Sequence, residues 1–235
     1  MISLLTIVMN RSDRIVPCLS SWLKNPNITE AVLVDWSSTV PVFTDPSLTD
    51  VIQDPKTRVI RVSEETSFIA QAYSQNVGIQ HVIQPYICKV DIDHVLIDSS
   101  LISTLQKTIG TNAFCCGVDG KNYHHYGFAF FKRDDAIKIG GYNEGAVGYG
   151  FDDLDFYQRL KNAGVRQIGL SGIDKLVHHI PHAAALSVEN YAEKNKHKSN
   201  RANINLAKKR KVTPMSKYRT VVDSHKYVEL VRIKS

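Results

Sequence analysis

Three groups of side chains in this chain have the types and spacing to do chemistry. Asp91 and Asp93 stand one residue apart in KVDIDHV. In extended backbone, residues i and i+2 project to the same side. Two carboxylates held so close repel each other unless a cation sits near them, and oxygen ligation suits Mg²⁺ or Mn²⁺. The alternative is that one Asp caps a turn and the other faces water. His178, His179 and His182 lie in VHHIPH. Pro181 forbids continued helix there, so His179 and His182 can converge on one ion as neutral imidazoles. Otherwise the three histidines form a loop packed on the C-terminal segment.

The third group is GGYNEGAVGYGFDDLDFYQRL, residues 140–160. Its glycines leave little bulk beside a ligand, and Gly150 sits next to the acids. Tyr142 and Tyr149 offer flat faces suited to stacking on sugar rings. Asp152 and Asp153 open a helix, where the dipole favours the carboxylate. An ionised Asp at that position can accept the proton of a hydroxyl nucleophile. The plain alternative is that both acids only cap the helix.

The elements that must hold these groups follow from hydrophobic periodicity. Ile2–Met9 is a continuous apolar run that stops at Asn10-Arg11-Ser12. Ser12 or Asp13 can cap a helix with Ile15, Val16, Leu19, Trp22 and Leu23 at helical spacing. Strands are expected at Ala31–Val34, Arg58–Val62 and Tyr86–Val90, with a helix over Phe68–Ile83. Further on, a helix runs from Asp98 or Ser99 through Thr108. Strands fall at Ala113–Val118 and Gly127–Lys132, a helix at Asp152–Asn162, and short strands at Val165–Leu170 and Lys175–Ile180. Glu189–Lys211 reads as a polar helix or loop, and Arg219–Val222 with Tyr227–Ile233 as a hairpin. Strands alternating with helices predict an α/β fold with a mixed, mostly parallel sheet flanked by helices. Ligands on such sheets bind beyond the carboxyl ends of the strands. Asn10 and Arg11, Asp35, and the Asp91/Asp93 pair all fall there.

Composition narrows the classes. The chain has 235 residues, 43% hydrophobic and 22% charged, with four cysteines and no C-x-x-C. It is neither disordered nor a disulfide scaffold, and the thiols read as reduced. The positive charge at the N-terminus follows the apolar run instead of preceding it, and no stretch nears 18 apolar residues. The expectation is a soluble, cytoplasmic protein without a signal peptide. The net charge of +6 is unevenly spread: Lys194 to Ser235 holds 13 of the 29 Lys and Arg and only two of the 23 acids. An acidic body over 1–185 with a basic extension over 186–235 is expected. The extension suits peripheral contact with an anionic inner-membrane surface, and nucleic acid less well, since no reading module accompanies the charge. Oligomeric state is open. P-loop, G-x-G-x-x-G, G-x-S-x-G and H-E-x-x-H patterns are absent from the sequence, so it shows no sign of the chemistries they support.

Taken in order, these residues resemble the nucleotide-sugar-dependent glycosyltransferases of the GT-A fold. The likeness is to the branch with the beta-1,4-galactosyltransferases and bacterial chondroitin-synthase-like enzymes. Met9-Asn10-Arg11 resembles the family's first-strand turn against the nucleotide, and VDWSS the second-strand turn, with Asp35 contacting base or ribose. KVDIDHV is similar to the metal-binding D-x-D. Gly148 to Asp153 resembles the acceptor segment G-W-G-x-E-D, with Tyr149 for Trp and Asp152 for Glu. The resemblance implies Asp153 as catalytic base, with Asp152, Tyr149, Gly150 and Tyr142 on the acceptor. It implies Asn10, Arg11, Asp35 and Asp91 on the nucleotide-sugar, and Mn²⁺ or Mg²⁺ on Asp93, Asp91 and His182 or His179. The expected activity is inverting transfer of a sugar, favouring a UDP-sugar donor, to a saccharide, lipid-linked saccharide or other glycoconjugate. Two other readings remain: a metal-dependent phosphohydrolase on the Asp/His cluster, and an anionic-surface or nucleic-acid binding module on the basic segment.

Overall fold

Every residue of Ile2–Val8 is buried, as a strand covered on both faces should be. In the computed structural model, which describes all residues except 64–67, 119–122, 184–187, 211 and 234–235, this strand is β1 of a nine-stranded sheet. The chain continues through α1 (Ser12–Leu23), β2 (Ile28–Trp36), α2 (Thr49–Gln53), β3 (Thr57–Val62), α3 (Gln71–His81) and β4 (Tyr86–Lys89). Next come β5 (His94–Leu96), α4 (Ser100–Gln106), β6 (Ala113–Cys116), β7 (Ala129–Lys132), α5 (Arg133–Lys138) and α6 (Asp152–Asn162). The rest is β8 (Arg166–Gly169), β9 (Val177–His179), α7 (Lys196–Lys208), β10 (Tyr218–Asp223) and β11 (Tyr227–Arg232).

The sheet order is β10-β11-β3-β2-β1-β4-β7-β6-β8. Strands β11, β3, β2, β1 and β4 run parallel, as do β6 and β8, while β7 and β10 are antiparallel to their neighbours. The mixed, mostly parallel α/β sheet expected from the sequence is therefore present. Strand alternation divides the core: Leu4 and Leu33 pack with Ile15, Leu19 and Trp22 of α1. Leu5 and Val34 face the other way and pack with Val77 and Ile79 of α3. Phe156 and Leu160 bury α6 on that second face.

Several boundaries move, each for a local reason. Ser12 is the first residue of α1 and not its cap, since Arg11 occupies the cap position, where its side chain does not cap the helix. The helix expected from Phe68 starts at Gln71, and Phe68 is 44% exposed instead of buried. Residues 175–180 shorten to β9, which leaves the main sheet to pair antiparallel with β5, a strand of only three residues. The six-residue α5 has one buried residue, Ala136, too few to show a period.

The boundary expected at 185/186 lies outside the described residues. β11 adds to the main sheet beside β3 and buries Val228 and Leu230. Within the stretch 189–211, expected as a polar helix or loop, α7 forms, and Lys211 lies outside the described residues. Its polar residues grip the glycine-rich loop: the Asn203 amide donates to the Val147 and Gly150 carbonyls, and its oxygen accepts from Val147 N–H. Ser199 donates to the Tyr149 carbonyl at 2.8 Å. The basic segment thus completes the structure that the acidic body begins. Among the described residues, no helix is long and apolar enough to cross a membrane.

Candidate active site

The residues singled out from the sequence gather where β1, β2 and β4 end. Among the described residues, three of the four non-glycine residues with left-handed backbone lie around this region: Asn10 (φ 54°) after β1, Ser37 (φ 53°) after β2, and Phe151 (φ 68°) before α6. Such backbone is costly for residues with a Cβ and concentrates at ligand-binding turns.

The turn after β4 sets the arrangement of the acids and histidines. Val90 ends the interior strand region, and the chain turns so that Ile180 N–H donates to the Asp93 carbonyl at 2.8 Å. The antiparallel pairing of β5 with β9 sets His94 opposite His179. Pro181 then turns the chain, and His182 meets the same carboxylate. Nε2 of His179 and Nε2 of His182 are each 3.4 Å from Asp93 Oδ2, and the three ligand atoms lie within 4.8 Å of one another. Burial lowers the His179 pKa, against the opposing pull of Asp93, which keeps the imidazole neutral. Two imidazoles and a carboxylate are a donor set that fits Mn²⁺. His178 is exposed on the alternate side of β9.

His94, which the sequence reading passed over, sits beside this cluster but is committed elsewhere. Asp91 N–H donates to its Nδ1 at 3.3 Å, and its Nε2 lies 2.9 Å from the His124 carbonyl. Those partners assign a neutral ring with the proton on Nε2. His94 is a buried strut that shapes the D-x-D turn.

The second group of acids faces this turn from α6. Asp153 accepts hydrogen bonds from Lys89 Nζ and from the Tyr142 hydroxyl, both at 3.0 Å. Lys89 Nζ also lies 3.2 Å from Asp91 Oδ1. Gly127 makes room for this cluster, since a Cβ there would meet Asp91 Oδ2 at 2.0 Å. Burial pushes Asp91 up, but Lys89 and the nearby histidines together hold the carboxyl below its ordinary range. Burial raises Asp153, with Lys89 opposing and Asp91 adding to the rise. Asp152 is pushed up to about 7 by burial and then by the charge of Asp153. Neighbouring carboxylates with separated titrations are how one site holds both an acid and a base.

Two expected side chains do other work. Tyr142 is fully buried and stacks on Phe156 at 4.3 Å, so it cannot lie against a sugar ring; its contribution is the hydrogen bond to Asp153. Asp35 is also fully buried. It accepts from Ser38 N–H and Val42 N–H, each at 3.0 Å, and pairs with Arg61 at 2.7 Å. A carboxylate so enclosed does not reach base or ribose. It shapes the loop that holds Asn10: Asn10 N–H donates to Ser38 Oγ at 3.0 Å, and Thr39 N–H donates to Asn10 Oδ1 at 2.8 Å. Tyr149, by contrast, is 41% exposed, with Lys196 Nζ 4.7 Å from its ring centroid.

The sequence family described as the N-terminal domain of galactosyltransferase matches residues 110–183, a stretch that contains Asp152, Asp153, His179 and His182. At the level of sequence, no curated protein matches the chain. Among solved structures, the Drosophila beta1,4-galactosyltransferase 7 catalytic domain in complex with xylobiose is similar over 98% of this chain and 92% of its own, with TM-score 0.63 and 14% identity. The chain has the GT-A glycosyltransferase fold. The mannosyltransferase PcManGT from Pyrobaculum calidifontis, in complex with GDP-Man and Mn²⁺, is similar with TM-score 0.60 and 19% identity, over 73% of this chain and 55% of its own. TarS of S. aureus (1–349) follows at TM-score 0.55 and 16% identity, over 73% and 58%. The chain therefore spans little more than half the length of those two relatives. A further structure of the Drosophila galactosyltransferase, a mutant, holds manganese, UDP-Gal and xylobiose.

The titration of Asp152 makes a stability prediction for the protein. Its folded-state pKa of about 7 lies above the unfolded value near 3.9. The neutral acid is therefore accommodated below pH ~4, and stability is lost as pH rises toward ~7. The advantage of Asp152→Asn over the wild type is expected to be small at pH 4.5 and to grow by ~1–2 kcal/mol by pH 8, a value discounted for partial exposure. Thermal melts at the two pH values check it; equal melting-temperature differences would show that Asp152 is not strained by ionisation.

Proposed function

We propose that this glycosyltransferase moves a sugar, with inversion, from a nucleoside-diphosphate donor to a hydroxyl of a saccharide or glycoconjugate. A UDP-sugar is the favoured donor. The observation that carries this reading is the meeting of Asp93, His179 and His182 at the strand ends, beside an acid on α6 tied to Asp91. Asp93, His179 and His182 would hold Mn²⁺ or Mg²⁺. When bound, such an ion neutralises the diphosphate and makes it a better leaving group.

The protein's own groups do the rest. Asn10 and Arg11 meet the nucleotide, Arg11 through charge-assisted hydrogen bonds. Asp91, held ionised, orients ribose or donor sugar hydroxyls. Exposed Tyr149 and the open backbone at Gly150 receive the acceptor, with Asp152 hydrogen-bonding it. Asp153 accepts the proton of the attacking hydroxyl, which approaches the anomeric carbon opposite the departing diphosphate. The placement of Asp91 and Asp153 on separate elements supports that opposition. The phosphohydrolase reading uses the Asp/His cluster but leaves the Tyr149–Asp153 loop without a role.

Calorimetric titration of UDP and GDP, first with Mn²⁺ and then with EDTA, tests this. UDP is expected to bind with Mn²⁺ and to lose measurable binding when the metal is chelated. Binding of GDP alone would change the donor class and keep the chemistry. Binding of neither would remove the transferase reading.

A further inference from the structure

Lys89 is a charged residue in an unusual place. It ends β4, an interior strand paired with β1 at Leu5 and with β7 at Ala129, and its side chain is 1% exposed. An ammonium group so enclosed is costly unless opposite charges meet it. Two do, and they come from different elements: Asp91 Oδ1 at 3.2 Å and Asp153 Oδ1 at 3.0 Å. The Tyr142 hydroxyl donates to that same Asp153 oxygen at 3.0 Å. Among the described residues, both hydrogen bonds to the Asp153 side chain fall on Oδ1, and Oδ2 carries none.

This asymmetry has a chemical consequence. A carboxylate acting as a base takes the proton on one oxygen, and the second oxygen sets its rotation. With Oδ1 held by two donors, Oδ2 is the atom left to receive a proton. Strand alternation explains how Lys89 reaches it: Ile87 points to the core face that holds Phe156 of α6, and Lys89, two residues on, points the same way.

We propose that Lys89 is a positioning residue for the transfer reaction: it clamps Oδ1 of Asp153 to Asp91, so that the base stands at a fixed distance from the donor-side carboxylate and presents Oδ2 to the acceptor hydroxyl. The inference rests on the proposed role of Asp153. It differs from a plain structural counter-ion role, in which Lys89 neutralises buried acids and rotation of the base does not matter.

The test is a double-mutant cycle on turnover. The assay is UDP release from the UDP-sugar that wild-type protein consumes fastest, among UDP-galactose, UDP-glucose and their N-acetylated counterparts. Lys89→Met is expected to lower kcat ~10–100-fold, the scale of a misplaced reacting group, with KM for the UDP-sugar within about threefold of wild type. In the Asp153→Asn background the same change should cost no further kcat, because its effect runs through the base. Tyr142→Phe removes the other Oδ1 hydrogen bond without changing charge, and serves if Lys89→Met does not fold. It should lower kcat several-fold at unchanged KM. Unchanged kcat in both variants, or a further loss from Lys89→Met on top of Asp153→Asn, overturns the positioning role while leaving the transferase reading intact. Wild-type protein that neither binds UDP with Mn²⁺ nor releases it from any donor overturns both.

Discussion

Asp153→Asn is expected to reduce sugar transfer by about 10²–10⁴-fold, the usual contribution of a general base, while Mn²⁺-dependent UDP binding changes little. The asparagine is isosteric and can still accept from Lys89 and Tyr142, which now contact Asp153 at 3.0 Å, but it cannot take a proton. The nucleotide and metal residues lie on other elements, Asp93 after β4 and the histidines on and after β9. Binding and turnover should therefore separate. The wild-type pH profile gives a second readout. Burial raises the Asp153 pKa, and the base works only when ionised, so the acidic limb of kcat should lie above the ordinary carboxylate range. That limb should vanish in the variant. Single-turnover rates and UDP titrations on the two proteins decide the matter; near-normal turnover in the variant would move the base elsewhere.

Asp35→Ala is expected to destabilise the fold by ~3–5 kcal/mol, the cost of breaking a buried ion pair by removing one partner. The Arg61 guanidinium would lose its carboxylate at 2.7 Å, and Ser38 and Val42 would each lose an acceptor for their N–H groups. Arg61 is itself only 16% exposed, so water replaces the lost charge poorly. A residue that merely touched a nucleotide would give the opposite pattern: weakened binding with full stability. Chemical denaturation of the free protein distinguishes the two, and a stability loss below ~1 kcal/mol would defeat the buried-pair account. Nucleotide binding should weaken as well, because the 38–42 loop organised by Asp35 holds Asn10.

Much of this was legible without coordinates, for a physical reason. Strand and helix periodicities are local, so β1, β2, β4 and α6 could be read from apolar runs and their stop signals. Where those runs end is where a parallel sheet places its ligands, and the acids and histidines at those ends could be picked by type alone. His179 and His182 were paired through Pro181, again a local constraint, and both indeed meet Asp93.

What tertiary structure alone decided is which of these side chains face the cleft and which are enclosed. Asp35 and Tyr142 have the right types at suitable positions, yet both are buried. Their surroundings come from β3 and α6, 26 and 14 residues away in sequence at Arg61 and Phe156. Lys89 is visible in the sequence two residues before the D-x-D, but its two partners are supplied by a turn and by a helix 64 residues on. The basic C-terminal segment looked separate because its charge differs from that of the body. Its joining to the sheet depends on backbone pairing between β11 and β3, which side-chain composition does not encode. Local patterns determine which elements form and where they stop; only packing sets which charge meets which, because that depends on distances between elements far apart in the chain.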